Sequence, residues 1–90
     1  MKVYILLVQD LVTNKTKVIS IHKTMDGAKD GRNMFAQYDS NNGYGYYLTT
    51  DKKEDVTYLW IEPSQYDETF DESYTKPIKR YYIIERELLS

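Results

Sequence analysis

Cysteine is absent from this chain of 90 residues, and histidine occurs once, as His22. Without cysteine the protein can form no disulfide, no thiolate nucleophile and no cysteine-held zinc or iron–sulfur site. One histidine is too few for the usual transition-metal sites, and acid–base catalysis by His22 would require a nucleophile or a carboxylate close to it in space. We therefore expect no cofactor, no metal and no enzymatic activity, and we interpret His22 as a polar surface residue.

Long apolar runs are also missing from the sequence. No stretch approaches the roughly 20 residues that a membrane-spanning helix requires, so no membrane partner is expected. The length suits a single domain over residues 1–90. The lack of cysteine is typical of a protein from a reducing cytoplasm, which is the location we expect.

Charge is spread unevenly along the chain. The net charge is −2, but the stretch from Glu54 to Tyr74 has seven acidic residues and no Lys or Arg. Between Lys76 and Arg86 the balance reverses, with four basic residues and one acidic residue, Glu85. Such asymmetry says more about binding partners than the net charge does.

The apolar pattern of the first half predicts a β-hairpin followed by a helix. Lys2 to Val8 is rich in β-branched and aromatic residues and is expected to form a central strand, with Lys17 to His22 as its partner. Thr24 can cap the helix through its hydroxyl. The helix is expected to end before the polar cluster at residues 39–43, and its two glycines, four residues apart, favour close packing on a sheet.

The second half predicts two further strands. Val56 to Ile61 and residues 78–88 have the composition of strands, and a long loop over residues 62–77 separates them. Residues 44–49 are compatible with a strand or with an ordered aromatic loop. The expected fold is therefore α+β: one helix packed on one face of an antiparallel sheet of four strands, or five if residues 44–49 form one, in the order ββα(β)ββ.

Both ends of the chain carry short motifs. The chain opens with KVYILL at residues 2–7, has DGAK at residues 26–29 after the hairpin, and closes with YIIEREL at residues 82–88. This resembles a group of small proteins of tailed bacteriophages and bacteria with a K-V-Y-I-L strand, a hairpin, an S-x-E-x-A helix start and a terminal Y-x-I-x-E-x-E-L strand. The resemblance departs at residues 41–77, which are longer than the pattern needs. It implies this fold, a phage or prophage origin and the cytoplasm of a bacterial host, but no activity.

The acidic stretch suggests a surface that binds another protein. Three aromatic residues recur in it at four-residue intervals, so one or two helical turns would line them up between carboxylates. Aromatic anchors ringed by acid fit a host protein with a basic surface, such as a nucleic-acid-binding or defence protein, which the chain would modulate or inhibit. The alternative is a solvated loop that keeps a tyrosine-rich protein in solution. The candidate partner-binding residues are Glu62, Tyr66, Asp67, Glu68, Phe70, Asp71, Glu72 and Tyr74.

Two other functions are weighed against this one. Exposed strand edges and tyrosine-rich surfaces favour a self-assembling homodimer. Direct nucleic-acid binding could use tyrosines for stacking and the basic C-terminal stretch for phosphates, but the acidic pI of about 5.3 disfavours it. The residues concerned are Tyr44, Tyr46, Tyr47, Lys76, Lys79, Arg80 and Arg86.

Overall fold

The computed structural model describes residues 1–43, 45–61 and 77–88. The strands form one five-stranded antiparallel sheet in the order β2-β1-β5-β4-β3, and the helix between β2 and β3 packs against it. The α+β prediction is confirmed, and the strand count is five because the segment around Tyr46 is a strand. The elements are β1 (Lys2–Asp10), β2 (Lys15–His22), α1 (Met25–Asn42), β3 (Tyr46–Asp51), β4 (Val56–Ile61) and β5 (Lys79–Glu87).

The first and last strands lie side by side at the centre of the sheet. β1 pairs with β5 in unbroken register from Lys2–Glu87 to Asp10–Lys79. β1 also pairs with β2, with a shift in register between Leu6 and Leu7 that leaves Ile19 as an extra residue in β2. The prediction that β1 is central is therefore confirmed, and β2 and β3 are the two edge strands.

Two of the hairpins, β1–β2 and β3–β4, are closed by turns of the same construction. In each turn the aspartate that ends the first strand, Asp10 or Asp51, accepts backbone N–H groups from the residues two and three positions later, at 2.9–3.2 Å. The residue before the next strand, Asn14 or Asp55, has a positive φ of 61° or 57°. Asn and Asp tolerate this conformation better than other residues with a Cβ. The backbone N–H groups of Thr13 and then Val12 hold the pKa of Asp10 below its usual value.

The helix begins as predicted and ends later than predicted. Thr24 Oγ1 accepts the N–H of Gly27 at 3.0 Å, which confirms the predicted cap. The helix does not stop before residue 39 but continues to Asn42. Tertiary contacts explain the difference, because Asp39 accepts a hydrogen bond from the Tyr81 hydroxyl and lies 3.5 Å from Lys79 Nζ. These contacts offset the low helix propensity of the polar cluster.

The core lies between α1 and the central strands. Leu6, Ala28, Ala36, Leu59 and Tyr81 are completely buried. The small side chains on this face of the helix let it approach the sheet closely, as the two glycines predicted.

His22 lies in the layer between helix and sheet, so its assignment to the surface is wrong. Its side chain is half-buried. A Cβ at Gly31 would lie 3.1 Å from His22 Nε2, so the glycine leaves the room that the imidazole occupies. Gly27 similarly faces the His22 ring and Thr24.

Candidate functional site

Only one face of the sheet is covered by the helix. Leu6 points towards the helix, since a Cβ at Gly31 would lie 3.6 Å from its Cδ2, and its neighbours in register, Ser20 and Ile83, share that face. Alternate strand residues point the other way. No element of the described parts of the chain lies over that second side, which we call the open face. Its residues are Val3, Ile5, Leu7, Gln9, Thr16, Val18, Ile21, Tyr47, Thr49, Asp51, Val56, Tyr58, Trp60, Arg80, Tyr82, Ile84 and Arg86. Three of them, Val3, Leu7 and Val56, are buried, so the part of this face that reaches solvent is formed by the others.

One half of the open face is aliphatic. Ile21, Ile5 and Ile84 lie directly opposite one another on β2, β1 and β5 and form a row of three isoleucines. Val18 and Leu7 are paired in the next row on the same face. Ile21 is 64% exposed and Val18 is 53% exposed. Both rows therefore reach solvent at the β2 edge.

The other half of the open face is aromatic. The rings of Tyr47 and Trp60 are nearly parallel, at an interplanar angle of 8° with centroids 6.2 Å apart. The indole N–H of Trp60 donates to Thr49 Oγ1 at 2.7 Å, which fixes the orientation of the indole. The guanidinium carbon of Arg80 lies 4.5 Å from the centroid of the Tyr82 ring, a cation–π contact. The aromatic side chains are therefore held in place by their neighbours.

The open face carries more positive than negative charge. Arg80 and Arg86 lie on it, and Asp51, on the edge strand β3, is the only carboxylate among its residues. The Nε of Arg80 is buried and has no hydrogen-bond partner within the described part of the chain. The described residues include 11 Lys and Arg and nine Asp and Glu, a net of +2, although the whole chain has a net charge of −2. The acidic excess of the protein thus resides in residues 62–76.

The eight predicted partner-binding residues lie outside the described residues, and the prediction stays a prediction. They are Glu62, Tyr66, Asp67, Glu68, Phe70, Asp71, Glu72 and Tyr74.

The residues considered for nucleic-acid binding do not share one side of the sheet. Tyr46 packs against the core, and Lys79 pairs with Asp39 of the helix, so both lie on the helix side. Tyr47, Arg80 and Arg86 lie on the open face. Tyr44 and Lys76 fall outside the described residues.

Sequence reasoning considered Arg80 and Arg86 of β5 but missed the apolar and aromatic members of the open face on β4 and β5, such as Tyr58, Trp60 and Tyr82. Tyr58 and Trp60, and likewise Arg80 and Tyr82, are two residues apart and therefore point to the same side of their strands. That spacing was the available signal. It becomes informative only when the face covered by the helix is known.

A hydroxyl and an imidazole meet on the helix side. Ser20 Oγ lies 2.7 Å from His22 Nε2. Hydrolases activate a serine through such a contact when a third group orients the histidine. Here the ring lies under Gly31 of the helix, and no described carboxylate is hydrogen-bonded to it. The contact therefore satisfies two half-buried polar groups.

Residues 1–43, 45–61 and 77–88 contain no cluster of potential metal ligands. No group of three or more His, Cys, Asp or Glu residues there is close enough to hold an ion.

Comparison with known proteins identifies no relative of this chain. No protein-family model matches the chain, and neither the curated proteins nor the solved structures give a match. Within the described residues, no helix is both long and apolar enough to cross a membrane.

Proposed function

We propose that this chain is a small, non-catalytic accessory protein of phage type that binds a host protein and modulates or inhibits it. The observation that supports this proposal is the open face, which combines aliphatic side chains with tyrosine, tryptophan and arginine. Tyr, Trp and Arg are the residue types whose truncation most often costs affinity at protein interfaces. A sheet with one apolar side gains stability when another surface covers that side.

The charges of the open face favour a particular partner. Arg80 and Arg86 are accompanied by a single carboxylate, Asp51, at the edge. A complementary surface would present carboxylates beside apolar side chains, so that the arginines are paired when they lose water. The same face of a second copy offers only one carboxylate, Asp51, to pair with two arginines and is the poorer fit.

The acidic segment would serve as a second binding surface, with negative charge where the open face has positive charge. Its aromatics and carboxylates, Glu62 to Tyr74, would dock on a basic host protein, such as a nucleic-acid-binding or defence protein. Carboxylates would speed association, and this effect would weaken with salt. Because the two surfaces differ in charge, substitution can separate their contributions.

Three variants compared with the wild type test the proposal in pull-downs from bacterial lysate. The first carries Val18→Glu and Ile21→Glu on the open face. Its matched control carries Met34→Glu and Tyr38→Glu, two residues of α1 that are 64% and 67% exposed. Both pairs add two negative charges at exposed apolar positions. The third variant neutralises Asp67, Glu68, Asp71 and Glu72 to the corresponding amides.

We expect the same protein to be retained by the wild type and by the helix control, and lost by the open-face variant. With the purified partner, the dissociation constant of the open-face variant should rise by roughly thirtyfold, the effect of one interface hot spot. Loss only in the neutralised variant would move the docking site to the acidic segment and reject the open face. Equal retention by all three variants would reject both surfaces.

Self-assembly is the second candidate function, because Val18 and Ile21 are exposed beside the unpaired edge of β2. Lys15 and Lys17 lie along the same edge, and like charges there oppose the pairing of two β2 strands. We expect light scattering to give the monomer mass of 10.7 kDa over a wide range of concentration. A dimer that dissociates when Val18 and Ile21 are changed to Glu would replace host-protein binding with self-assembly.

A further inference from the structure

A shallow pocket of about 220 Å³ lies on the helix side of the sheet, away from the open face. Its lining residues are Val8, Asp10, Thr13, Lys15, Lys17 and Lys79. Val8 packs against the core cluster that includes Ala36 of the helix, which fixes the side of the sheet on which the pocket opens.

The register of three strands brings the lysines together. On β2, Lys17 lies opposite Val8 and Lys15 lies opposite Asp10. On β5, Lys79 also lies opposite Asp10. Two lysines therefore flank β1 from one side and a third flanks it from the other, and Thr13 of the turn completes the lining.

The pocket has an excess of two positive charges. Asp10 supplies its one carboxylate, and an oxygen of that carboxylate already accepts the N–H groups of Val12 and Thr13. Lys79 is paired with Asp39 at 3.5 Å. Lys15 and Lys17 form no ion pair with any residue in the described parts of the chain. Their charges are thus available to an anion.

We propose that this pocket binds a phosphate group. A single water needs only about 10–15 Å³ of such cavity volume, so the pocket has room for a phosphate or pyrophosphate with a few waters. Lysine binds phosphate as a point charge, and a threonine hydroxyl can donate to a phosphate oxygen. The phosphate can come from a free phosphate compound or from a nucleic-acid backbone, since both present the same oxygens.

Titration of the isotope-labelled protein, followed by backbone amide shifts, tests the assignment at low ionic strength. The probes are inorganic phosphate, pyrophosphate and a short oligothymidylate, with chloride as the salt control. We expect saturable shifts at residues 8–17 and at Lys79 with pyrophosphate, which binds more tightly than phosphate because it carries more charge. Tighter binding of oligothymidylate at the same amides would identify the source as a nucleic-acid backbone. Binding of pyrophosphate alone would identify a free phosphate compound.

Variants that remove positive or negative charge from the pocket distinguish binding at the pocket from attraction of anions to the protein as a whole. Lys15→Gln with Lys17→Gln should weaken pyrophosphate binding by roughly tenfold or more, since two of the three cations are lost. Asp10→Asn should tighten binding, because the amide oxygen can still accept the turn N–H groups while the negative charge is removed. The matched control is Lys52→Gln with Lys53→Gln, in the β3–β4 turn of the same construction, and should leave binding unchanged.

Two results would overturn the proposal. One is the absence of saturable shifts at residues 8–17 up to tens of millimolar pyrophosphate. The other is an equal loss of binding in the Lys52/Lys53 control, which would show attraction to the net charge of the protein. The shift pattern of each variant without ligand shows whether it is folded, so loss of structure cannot be mistaken for loss of the site.

Discussion

Replacing Tyr81 with alanine is expected to lower the free energy of unfolding by about 4 kcal/mol, within the range for truncation of a buried aromatic side chain. Tyr81 is completely buried and forms a cluster with Ala36 of the helix and Leu59 of β4. A small domain is stable by only about 5–10 kcal/mol in total, so this change should remove much of the stability. Urea denaturation followed by circular dichroism measures the loss.

Tyr81→Phe is the matched control, because it keeps the ring and removes only the hydroxyl. That hydroxyl donates to Asp39, a carboxylate in the last turn of the helix, where the helix dipole disfavours negative charge. Loss of a hydrogen bond to a charged group should cost about 1.5 kcal/mol, with Lys79 left as the remaining partner of Asp39. If alanine costs no more than phenylalanine, the packing of the Tyr81 ring does not hold helix and sheet together.

The Tyr81 hydroxyl also predicts how stability responds to alkaline pH. Burial, and then the hydrogen bond to Asp39, raise the pKa of Tyr81 above its usual value of 10.0. The folded protein therefore resists ionisation that the unfolded chain permits, and this stabilisation is complete below about pH 10 and is lost as the pH rises further. The loss should approach about 1.4 kcal/mol per pH unit for one proton. Tyr81→Phe should show a shallower slope than the wild type, and equal slopes would assign the pH response to other groups.

Local sequence signals were enough for most of the elements but not for β3 or for all of the ends. The composition of the strands and the turn residues predicted β1, β2, β4 and β5, Thr24 predicted the helix start, and residues 44–49 were left open between a strand and a loop. The helix end was missed because residues 39–42 are polar and typical of a breaker. Their helical state depends on Tyr81 and Lys79, which are about 40 residues away in sequence. Such long-range contacts override local propensity and cannot be seen in a local window.

The open face was unpredictable for a related reason. The isoleucine row exists because β5 returns to pair with β1, which places Ile84 beside Ile5 and Ile21. Alternation shows that Tyr58 and Trp60 share a side of β4, but not whether the helix covers that side. The helix contacts are what decide which side is open, and they come from packing of small residues such as Ala36 against Leu59.

Removal of the Asp55 side chain is expected to cost more stability than removal of the charge on its partner, Arg32. Arg32 is only 5% exposed, and its Nη1 donates to the backbone oxygen of Asp55 at 2.8 Å and to the carboxylate at 2.9 Å. Lys29 lies 3.5 Å from the other carboxylate oxygen. These contacts tie the helix to the β3–β4 turn. Because the Asp55 side chain is 42% exposed, it can be hydrated without the arginine, whereas the arginine cannot be hydrated without rearrangement.

Asp55→Gly should therefore lower the free energy of unfolding by about 2 kcal/mol, less than for a fully buried pair because solvent screens the carboxylate. Glycine accepts the φ of 57° at this position, so backbone strain does not contribute. Arg32→Met, which keeps an apolar stem in the core, should cost about 1 kcal/mol. The double variant should cost less than the sum of the two, since removing either partner already breaks the pair. A larger cost for Arg32→Met than for Asp55→Gly would mean that the hydrogen bond from the guanidinium to the backbone oxygen of residue 55, which glycine retains, joins the helix to the turn more than the carboxylate does.

Acid pH provides an independent measure of the same contact. The hydrogen bond from Arg32 is the main cause that lowers the pKa of Asp55 below its usual 3.8. The stabilisation from the ionised carboxylate is therefore complete above the pKa of the unfolded chain and is lost as the pH falls through the lower pKa of the folded protein. Asp55→Asn retains a side chain that tolerates positive φ and removes the titrating group. Its stability should fall less than that of the wild type below about pH 4, and parallel curves would show that Asp55 does not contribute to acid unfolding.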